Sequence, residues 1–320
     1  MSEADDSLGV PARGPQQPWR PTEPDATVTR SGFVALAGRP NVGKSTLVNA
    51  IVGGKVAIVS DRPQTTRRAI RGVRTEQYWQ MVLVDLPGVQ RPRDMLTERM
   101  AGRVRLELEG SDAALLVLNG EQGVGPGDRY TGQALAEVDV PVTIAINKVD
   151  RLDRAATVAV LAAAAELDLG GEIFPISART GKGVGELVEH LAELMPRGPF
   201  MFSPQAISDQ PQSVLLAELV REAAIRRTFQ ELPHAVEAIV EEIEHPRDGL
   251  VRVRALLWVE TESQKGIVVG AGGRMIKAIG SAARKEIERE LDCHVHLDLS
   301  VRVRRDWRED EGLLDRLGIT

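Results

Sequence analysis

The sequence has little of several residue types, and each shortage excludes a class of protein. Its 320 residues include a single cysteine, Cys293, so an internal disulfide is excluded and a reducing compartment is indicated. No apolar run reaches the roughly 18 residues that a membrane-spanning helix needs. The acidic and polar N-terminus lacks the pattern of a secretory signal peptide. We therefore expect a cytoplasmic protein.

Aromatic residues and positive charge are also scarce. Aromatic side chains make up 3% of the chain, and its formal net charge is -6. These values exclude a protein that binds nucleic acid through overall charge or by stacking many bases on aromatic rings. Any RNA site must therefore be local. The length itself predicts two domains, each with its own core.

Changes in composition divide the chain into five segments. Residues 1–29 are rich in proline, acidic residues and glutamine, which predicts a disordered tail. Residues 30–196 alternate apolar runs with helical patterns, which predicts an α/β domain with a mostly parallel sheet and helices on both faces. Residues 197–213 contain several prolines without periodicity and are interpreted as a linker. Residues 214–306 predict a smaller α+β domain in the order α-β-β-α-α-β, and residues 307–320 a C-terminal tail.

The elements predicted for each domain follow from these runs and periods. In the first domain the strands are Phe33–Ala37, Met81–Val84, Ala113–Leu118, Val142–Ile146 and Ile173–Ile176, with helices over Thr46–Val52 and Ala155–Leu167. In the second domain the elements are a helix Ser213–Gln230, an extended segment Ala235–Glu244, turn residues His245–Gly249, a strand Leu250–Glu260, a helix Arg274–Leu291 and a strand His294–Val303.

A complete phosphate-binding loop follows the first predicted strand. Residues Gly38–Ser45 have the pattern G-x-x-x-x-G-K-S, and a helix follows them. The backbone N–H groups of such a turn and the positive end of the helix dipole converge on a polyphosphate. Lys44 would then reach the β- and γ-phosphates, and Ser45 would bind Mg²⁺. The alternative, a glycine turn with only a structural role, is disfavoured by the strand and helix on either side.

Three further motifs, each after an apolar run, select the nucleotide. Asp85-Leu86-Pro87-Gly88 lies where a strand ends, so that Asp85 would hold Mg²⁺ through water and the Gly88 N–H would contact a γ-phosphate. In Asn147-Lys148-Val149-Asp150, the carboxylate of Asp150 would accept two hydrogen bonds from guanine, a donor pair that adenine lacks. Ser177-Ala178 would supply a backbone N–H toward guanine O6. Together the motifs predict a guanine nucleotide site and disfavour an ATPase.

The residues that would govern hydrolysis are less regular. The polar segment 63–68 is predicted to be a switch loop, in which Thr66, or alternatively Thr65, closes over Mg²⁺ and the γ-phosphate. Val89 stands where Ras-like GTPases place a glutamine that orients the attacking water. Gln90 comes next, but we interpret its position as a coincidence. We therefore expect slow intrinsic hydrolysis of GTP.

The predicted GTP site is as follows. It comprises Gly38, Arg39, Pro40, Asn41, Val42, Gly43, Lys44, Ser45, Thr46, Asp85, Leu86, Pro87, Gly88, Val89, Asn147, Lys148, Val149, Asp150, Ser177, Ala178 and Arg179. Within and beside this set, Lys44, Thr66 and Gly88 are predicted to be catalytic, and Ser45, Thr66 and Asp85 to hold Mg²⁺.

The second domain contains a G-x-x-G turn, Gly270–Gly273, between two helical patterns. KH domains use such a turn to clamp about four nucleotides of single-stranded backbone, because glycine lets phosphates approach closely. A helix-terminating turn is the alternative, which the flanking helices disfavour. The predicted RNA-binding residues are Lys265, Gly270, Ala271, Gly272, Gly273, Arg274 and Lys277.

Taken together, the motifs resemble those of the Era family of bacterial GTPases from about Ser31 to the C-terminus. The matching stretches are GRPNVGKSTLVNA, PQTTRR, DLPGV, NKVD and SAR in the first half, and ELPHAV, QKGIVVGAGGRMIKAIG and VRVRRDWRED in the second. The resemblance implies a GTPase with a type II KH domain. It also implies binding to the 3′ end of 16S ribosomal RNA, assistance to small-subunit assembly and maturation, and a monomer with a fraction associated peripherally with the cytoplasmic membrane.

The resemblance leaves two roles to be weighed. Family members often carry a lysine within the G-x-x-G turn, where this chain has Ala271 and Gly272; Arg274 and Lys277, with Lys265 and Arg284 nearby, could substitute for it. Because the domain carries about as many acidic as basic residues, its electrostatic contribution to RNA binding is expected to be modest. In related GTPases the asparagine equivalent to Asn41 helps bind K⁺ beside the phosphates. Two alternatives remain open: a regulatory switch whose second domain binds a protein or a membrane, and an assembly factor that scarcely hydrolyses GTP.

Overall fold

A computed structural model of the protein describes residues 29–60, 65–89, 94–228 and 232–319. The predicted disordered tail therefore lies outside the described residues, except Thr29. The first domain contains β1 (Arg30–Ala37), α1 (Lys44–Val52), β2 (Ile70–Thr75), β3 (Trp79–Asp85), α2 (Met95–Glu109), β4 (Ala113–Asn119), α3 (Pro126–Ala136), β5 (Val142–Asn147), α4 (Arg154–Ala165), β6 (Ile173–Pro175) and α5 (Val184–Leu194). The second contains α6 (Gln212–Ile225), α7 (Leu232–Ala235), β7 (Glu237–Arg247), β8 (Leu250–Val259), α8 (Glu262–Val269), α9 (Arg274–Leu291), β9 (His294–Val303) and α10 (Glu311–Arg316).

The first domain is built on a six-stranded sheet in the order β2-β3-β1-β4-β5-β6. All neighbours are parallel except β2, which pairs antiparallel with β3 at the edge. Residues of α1 and α5 pack in the core on one face, and residues of α2, α3 and α4 in the core on the other. The predicted α/β fold is confirmed. The edge strand β2 was not predicted, because arginines interrupt its apolar residues.

The second domain has a three-stranded sheet in the order β7-β8-β9, with β7 antiparallel and β9 parallel to β8. Helices α6, α8 and α9 cover one face of it through a shared apolar core. The predicted α+β order is confirmed, with two local corrections. Ala235 ends the short helix α7 and is not extended, and β7 continues to Arg247 through residues predicted to turn.

The segment predicted as a linker runs along the first sheet and is hydrogen-bonded to it. The side chain of Gln80 on β3 accepts hydrogen bonds from the N–H groups of Met201 and Phe202 at 2.7 and 2.8 Å. Ser208 Oγ donates to the Arg71 carbonyl at 2.7 Å. These contacts fix the path of the chain before α6 begins at Gln212.

The two domains share packed surfaces. Ile58, in the loop after α1, is buried in the core of the second domain. Residues predicted as a C-terminal tail form a short helical turn and α10, and they pack with α2. Trp307 is fully buried there, and its indole N–H donates to the Ala235 carbonyl at 3.1 Å. The prediction of a tail is therefore wrong for residues 307–319, because this segment buries its own apolar side chains.

Candidate nucleotide site and RNA interface

The loop Gly38–Ser45 joins β1 to α1 and wraps around the ammonium group of Lys44. Lys44 Nζ donates to the carbonyls of Gly38 and Arg39 at 3.0 and 3.1 Å. Burial lowers the pKa of Lys44 to about 8, against the attraction of Asp85. Helix α1 begins at Lys44 without a side-chain cap, so its first N–H groups face the loop. The geometry is that of an anion site with a cation at its centre.

Three side-chain oxygens, from two hydroxyl groups and one carboxylate, lie close together beside this loop. Ser45 Oγ donates to Asp85 Oδ2 at 2.6 Å, and Thr66 Oγ1 lies 3.1 Å from Ser45 Oγ and 3.2 Å from Asp85 Oδ2. Asp85 Oδ1 is buried and has no hydrogen-bond partner among the described residues. Burial raises the pKa of Asp85, although Lys44, Ser45 and Thr66 oppose the shift. Hard oxygen donors and an unpartnered carboxylate oxygen fit Mg²⁺, and the hydroxyl of Thr66 is part of this cluster.

The segment after Asp85 crosses directly over the phosphate-binding loop. The Val89 N–H donates to the Gly38 carbonyl at 3.1 Å. A Cβ atom on Gly88 would lie 2.7 Å from Pro40 Cγ, so only glycine fits this approach. The side chain of Val89 packs against the apolar core and has no group that could orient a water. Gln90 lies outside the described residues, as do residues 61–64 of the predicted switch loop.

Asn147, at the end of β5, ties together the loops that would surround a base. Its Nδ2 donates to the Val42 carbonyl at 2.9 Å, and its Oδ1 accepts from the N–H groups of Lys148 and Ala178 at 2.8 and 2.9 Å. Lys148 Nζ donates to the Asn41 carbonyl at 2.9 Å. Hydrogen bonds thus connect motifs that the sequence analysis placed at the ends of separate strands.

Asp150 is held by two side chains that the motif analysis did not assign to it. Ser177 Oγ and Arg179 Nη2 donate to its two carboxylate oxygens at 2.7 and 2.9 Å. The hydrogen bond from Ser177, together with Arg179, lowers the pKa of Asp150 despite some desolvation. Asp150 is therefore an ionised acceptor, as recognition of guanine requires. In the structure the N–H groups of Ser177 and Ala178 donate to the Lys182 carbonyl and to Asn147 Oδ1. The contact of a backbone N–H from this segment with guanine O6 stays a prediction.

Arg39, also predicted for the GTP site, points away from the loop centre. Its Nε donates to Asp128 at 2.9 Å, and Asp128 is fully buried at the start of α3. Its side chain therefore fixes the loop on α3, and only its backbone belongs to the anion site.

The G-x-x-G turn of the second domain has the backbone that RNA clamping needs. Gly270, Gly272 and Gly273 have φ angles of 70, 60 and 75°, and α9 begins directly after them without a side-chain cap. A Cβ atom on Gly272 or Gly273 would meet nothing within 4 Å, so this surface is open. Phosphates can therefore approach both the turn and the start of α9.

A groove of about 370 Å³ lies between α9 and β9. Lys277 and Arg284 line it with Gly280 and Leu299, and Asp298 adds one negative charge. Lys277 and Arg284 are exposed, and neither has an ion-pair partner in the described parts of the chain. Lys265 lies on α8 and Arg274 Nε bonds the Ala271 carbonyl at 3.2 Å. Of the predicted RNA residues, Lys277 therefore lines this groove, together with Arg284.

Comparisons with known proteins match both domains. A family model described as a 50S ribosome-binding GTPase matches residues 33–148, and a KH domain model matches residues 231–308. GTPase Era of Mycobacterium bovis is 43% identical over 298 residues, which cover 91% of this chain and 99% of the relative. GTPase Era of Carboxydothermus hydrogenoformans is 44% identical over 296 residues, with 91% and 98% covered.

Two crystal structures extend the comparison to bound ligands. An Aquifex aeolicus Era variant bound to GDP and AlF₄⁻ has a TM-score of 0.87 at 32% identity, with 91% of this chain and 100% of that chain covered. Era in complex with MgGDPNP and nucleotides 1506–1542 of 16S ribosomal RNA has a TM-score of 0.86 at 33% identity, with 91% and 99% covered. Similarity in sequence and in structure therefore spans both domains.

Proposed function

This chain belongs to the Era family of GTPases, and we propose that it binds the 3′ end of 16S ribosomal RNA and assists maturation of the small ribosomal subunit. The observation that carries the RNA assignment is the open glycine turn at the start of α9, followed on the same helix by Lys277 and Arg284, which line a groove beside β9. A relative of the same fold was crystallised with that RNA.

We propose that hydrolysis depends on the residues gathered around the phosphate-binding loop. Lys44 would hold the β- and γ-phosphates, and Ser45, Thr66 and Asp85 would hold Mg²⁺, directly or through water. Magnesium neutralises charge that develops on the phosphates. Of the remaining members of the predicted GTP site, those in the phosphate-binding loop would contact the phosphates, and those in the motifs after β5 and β6 would contact the guanine base. Since Val89 cannot orient a water, intrinsic turnover should be slow.

The RNA assignment is tested by replacing Gly272 and Gly273 together with aspartate. Two carboxylates at an open turn should repel phosphates, and we expect crosslinking of the full-length protein to a 16S 3′-end RNA to fall at least tenfold. GTP hydrolysis should stay within twofold, because the turn lies outside the nucleotide site. Alanine at the same positions is the control for backbone strain at positive φ.

The crosslinking is done with a GTP analogue and with GDP, because a switch should bind RNA differently in the two states. Equal crosslinking of the aspartate variant and the wild type would refute the RNA clamp. That result would favour the alternative in which the second domain binds a protein or a membrane.

A second cation is proposed beside the phosphates. Asn41 lies in the loop with a φ angle of 63°, and its carbonyl is held by Lys148. We propose that its side chain helps bind K⁺, which would supply transition-state charge. Hydrolysis should then be several-fold faster in KCl than in NaCl at equal ionic strength, and Asn41→Ala should remove the difference. Equal wild-type rates in the two salts would contradict the proposal.

Two further properties are proposed from family resemblance: a monomeric state and a fraction associated peripherally with the cytoplasmic membrane. The boundaries of the first domain, residues 30–196, and of the linker, residues 197–213, are proposed from the changes in composition along the chain. No helix in the described parts of the chain is long and apolar enough to cross a membrane.

A further inference from the structure

A cluster of buried charges joins the loop that carries Thr66 to the second domain. The loop contributes Arg67 and Arg68, α6 contributes Glu218 and Arg221, and the start of β7 contributes Glu237. Side-chain exposure is 2% for Arg67, 0% for Arg221 and 1% for Glu237. Charges buried this deeply are costly to desolvate and are a poor means of general stabilisation, so their arrangement calls for a specific role.

Arg221 contacts the loop at the peptide bond that precedes Thr66. Thr66, Ser45 and Asp85 form the oxygen cluster proposed to hold Mg²⁺, named here the magnesium cluster. Arg221 Nη2 donates a hydrogen bond to the carbonyl of Thr65, the residue before Thr66. The same Nη2 donates to Glu218 Oε2 at 2.6 Å, and Nε lies 3.6 Å from Glu237 Oε1. The peptide between Thr65 and Thr66 is thus fixed by Arg221 on one side and by the Thr66 hydroxyl on the other.

Arg67 and Arg68, which follow Thr66, are also bonded to the second domain. Arg67 Nη1 donates to Glu237 at 2.6 Å and to the Val236 carbonyl at 3.0 Å, and its guanidinium lies 5.3 Å from the ring centroid of Trp307. Arg68 donates to Glu218 at 3.1 Å. Burial disfavours the charge on Glu237, but the surrounding guanidinium groups outweigh it and lower the pKa of Glu237 to about 2. Glu237 therefore stays charged across the physiological pH range.

We infer that Arg221, a residue of the second domain, is a positioning residue for GTP hydrolysis in the first. By holding the Thr65 carbonyl, it places Thr66 Oγ1 beside Ser45 and Asp85 and completes the magnesium cluster. A displacement of about 1 Å at a metal ligand is enough to impair such a site. The inference rests on the magnesium site proposed above, and it makes the second domain a structural part of the GTPase site.

The test is Arg221→Lys in the full-length chain. Lysine keeps the positive charge beside Glu218 and Glu237, but a single ammonium cannot reproduce the planar fork that spans those carboxylates and the Thr65 carbonyl. We expect the Mg²⁺ concentration for half-maximal single-turnover hydrolysis to rise at least tenfold. Affinity for GDP should stay within twofold, because Thr66 is proposed to close only over the γ-phosphate and its metal.

The matched control is Ile287→Val, which removes one buried methylene from the core of the second domain, on α9 and not on the helix that carries Arg221. It should leave the Mg²⁺ dependence unchanged. Glu218→Gln, which weakens the support of Arg221, should shift the dependence in the same direction by a smaller factor, and it serves if Arg221→Lys does not fold. A wild-type Mg²⁺ dependence in the folded variants, or an equal loss of GDP and GTP binding, would overturn the inference.

Thr66→Ala separates the inference from the proposal on which it depends. If Thr66→Ala hydrolyses GTP like the wild type at every Mg²⁺ concentration, the proposed magnesium site is wrong. If Thr66→Ala shifts the dependence and Arg221→Lys does not, the site stands and only the positioning role of Arg221 fails.

Discussion

Replacing Lys44 with methionine is expected to weaken GTP binding about a thousandfold while the protein stays folded. The Lys44 ammonium lies at the centre of the phosphate-binding loop, where it donates to the carbonyls of Gly38 and Arg39. Losing charge-assisted hydrogen bonds to two phosphates should cost about 4 kcal/mol, which is roughly a thousandfold in affinity. Methionine keeps the buried aliphatic stem. Titration with a fluorescent GTP analogue measures the change, and thermal unfolding shows whether the fold persists.

The pH dependence of wild-type binding tests the same residue without a mutation. In the free protein, burial lowers the pKa of Lys44 to about 8 from its ordinary value of 10.5. A bound triphosphate favours the ammonium, so binding above pH 8 takes up a proton, and affinity should fall by up to about tenfold per pH unit there. Lys44 contributes oppositely to stability: the unfolded chain holds more protons between pH 8 and 10.5, so unfolding free energy rises with pH.

The methionine variant should lack the slope in affinity. A flat wild-type profile from pH 8 to 10 would show that Lys44 does not titrate in this range, and equal affinities of the variant and wild type would remove it from the phosphate site.

The parts of the site that the sequence predicts are those that depend on local order along the chain. The phosphate-binding loop, Asp85 and Asn147–Asp150 all follow apolar strands, and parallel strands bring their carboxyl ends to one edge. The long helix Arg274–Leu291 and the strand His294–Val303 have their predicted bounds, because a strong helical period and a clean alternation mark them.

Features that depend on distant partners could not be read in this way. Arg221 stands in a helical stretch with other charged residues, and nothing local distinguishes it from a solvent-exposed arginine; only the packing of α6 against the loop buries it. The fit of Arg39 on Asp128 and of Ser177 on Asp150 likewise joins segments far apart in sequence. One local signal was available for the C-terminal segment, since Trp307, Leu314 and Leu317 are large apolar residues that a free tail would expose.

Gly43→Ala is expected to abolish detectable GTP binding and to lower the free energy of unfolding by about 3–5 kcal/mol. Gly43 has a φ angle of 101°, where an L side chain is strained, and its Cβ would lie 2.2 Å from Asn147 Nδ2. Asn147 would have to move, which breaks its bonds to Val42, Lys148 and Ala178. The phosphate-binding loop and the segments expected to bind the base would then lose the hydrogen bonds that connect them.

Gly53→Ala is the matched control, because it carries the same backbone strain without the collision. Gly53 follows α1 at a φ angle of 78°, and its Cβ would meet nothing within 4 Å. It should cost only about 1 kcal/mol and leave GTP affinity within twofold, as measured by chemical denaturation and nucleotide titration. If the two variants are equally destabilised, backbone strain alone explains both, and Asn147 does not join the phosphate loop to the base site. If Gly43→Ala is the more destabilised but still binds GTP normally, the contact stabilises the fold without shaping the nucleotide site. Only the combined loss identifies Asn147 as the connection between the loops that would hold the two ends of GTP.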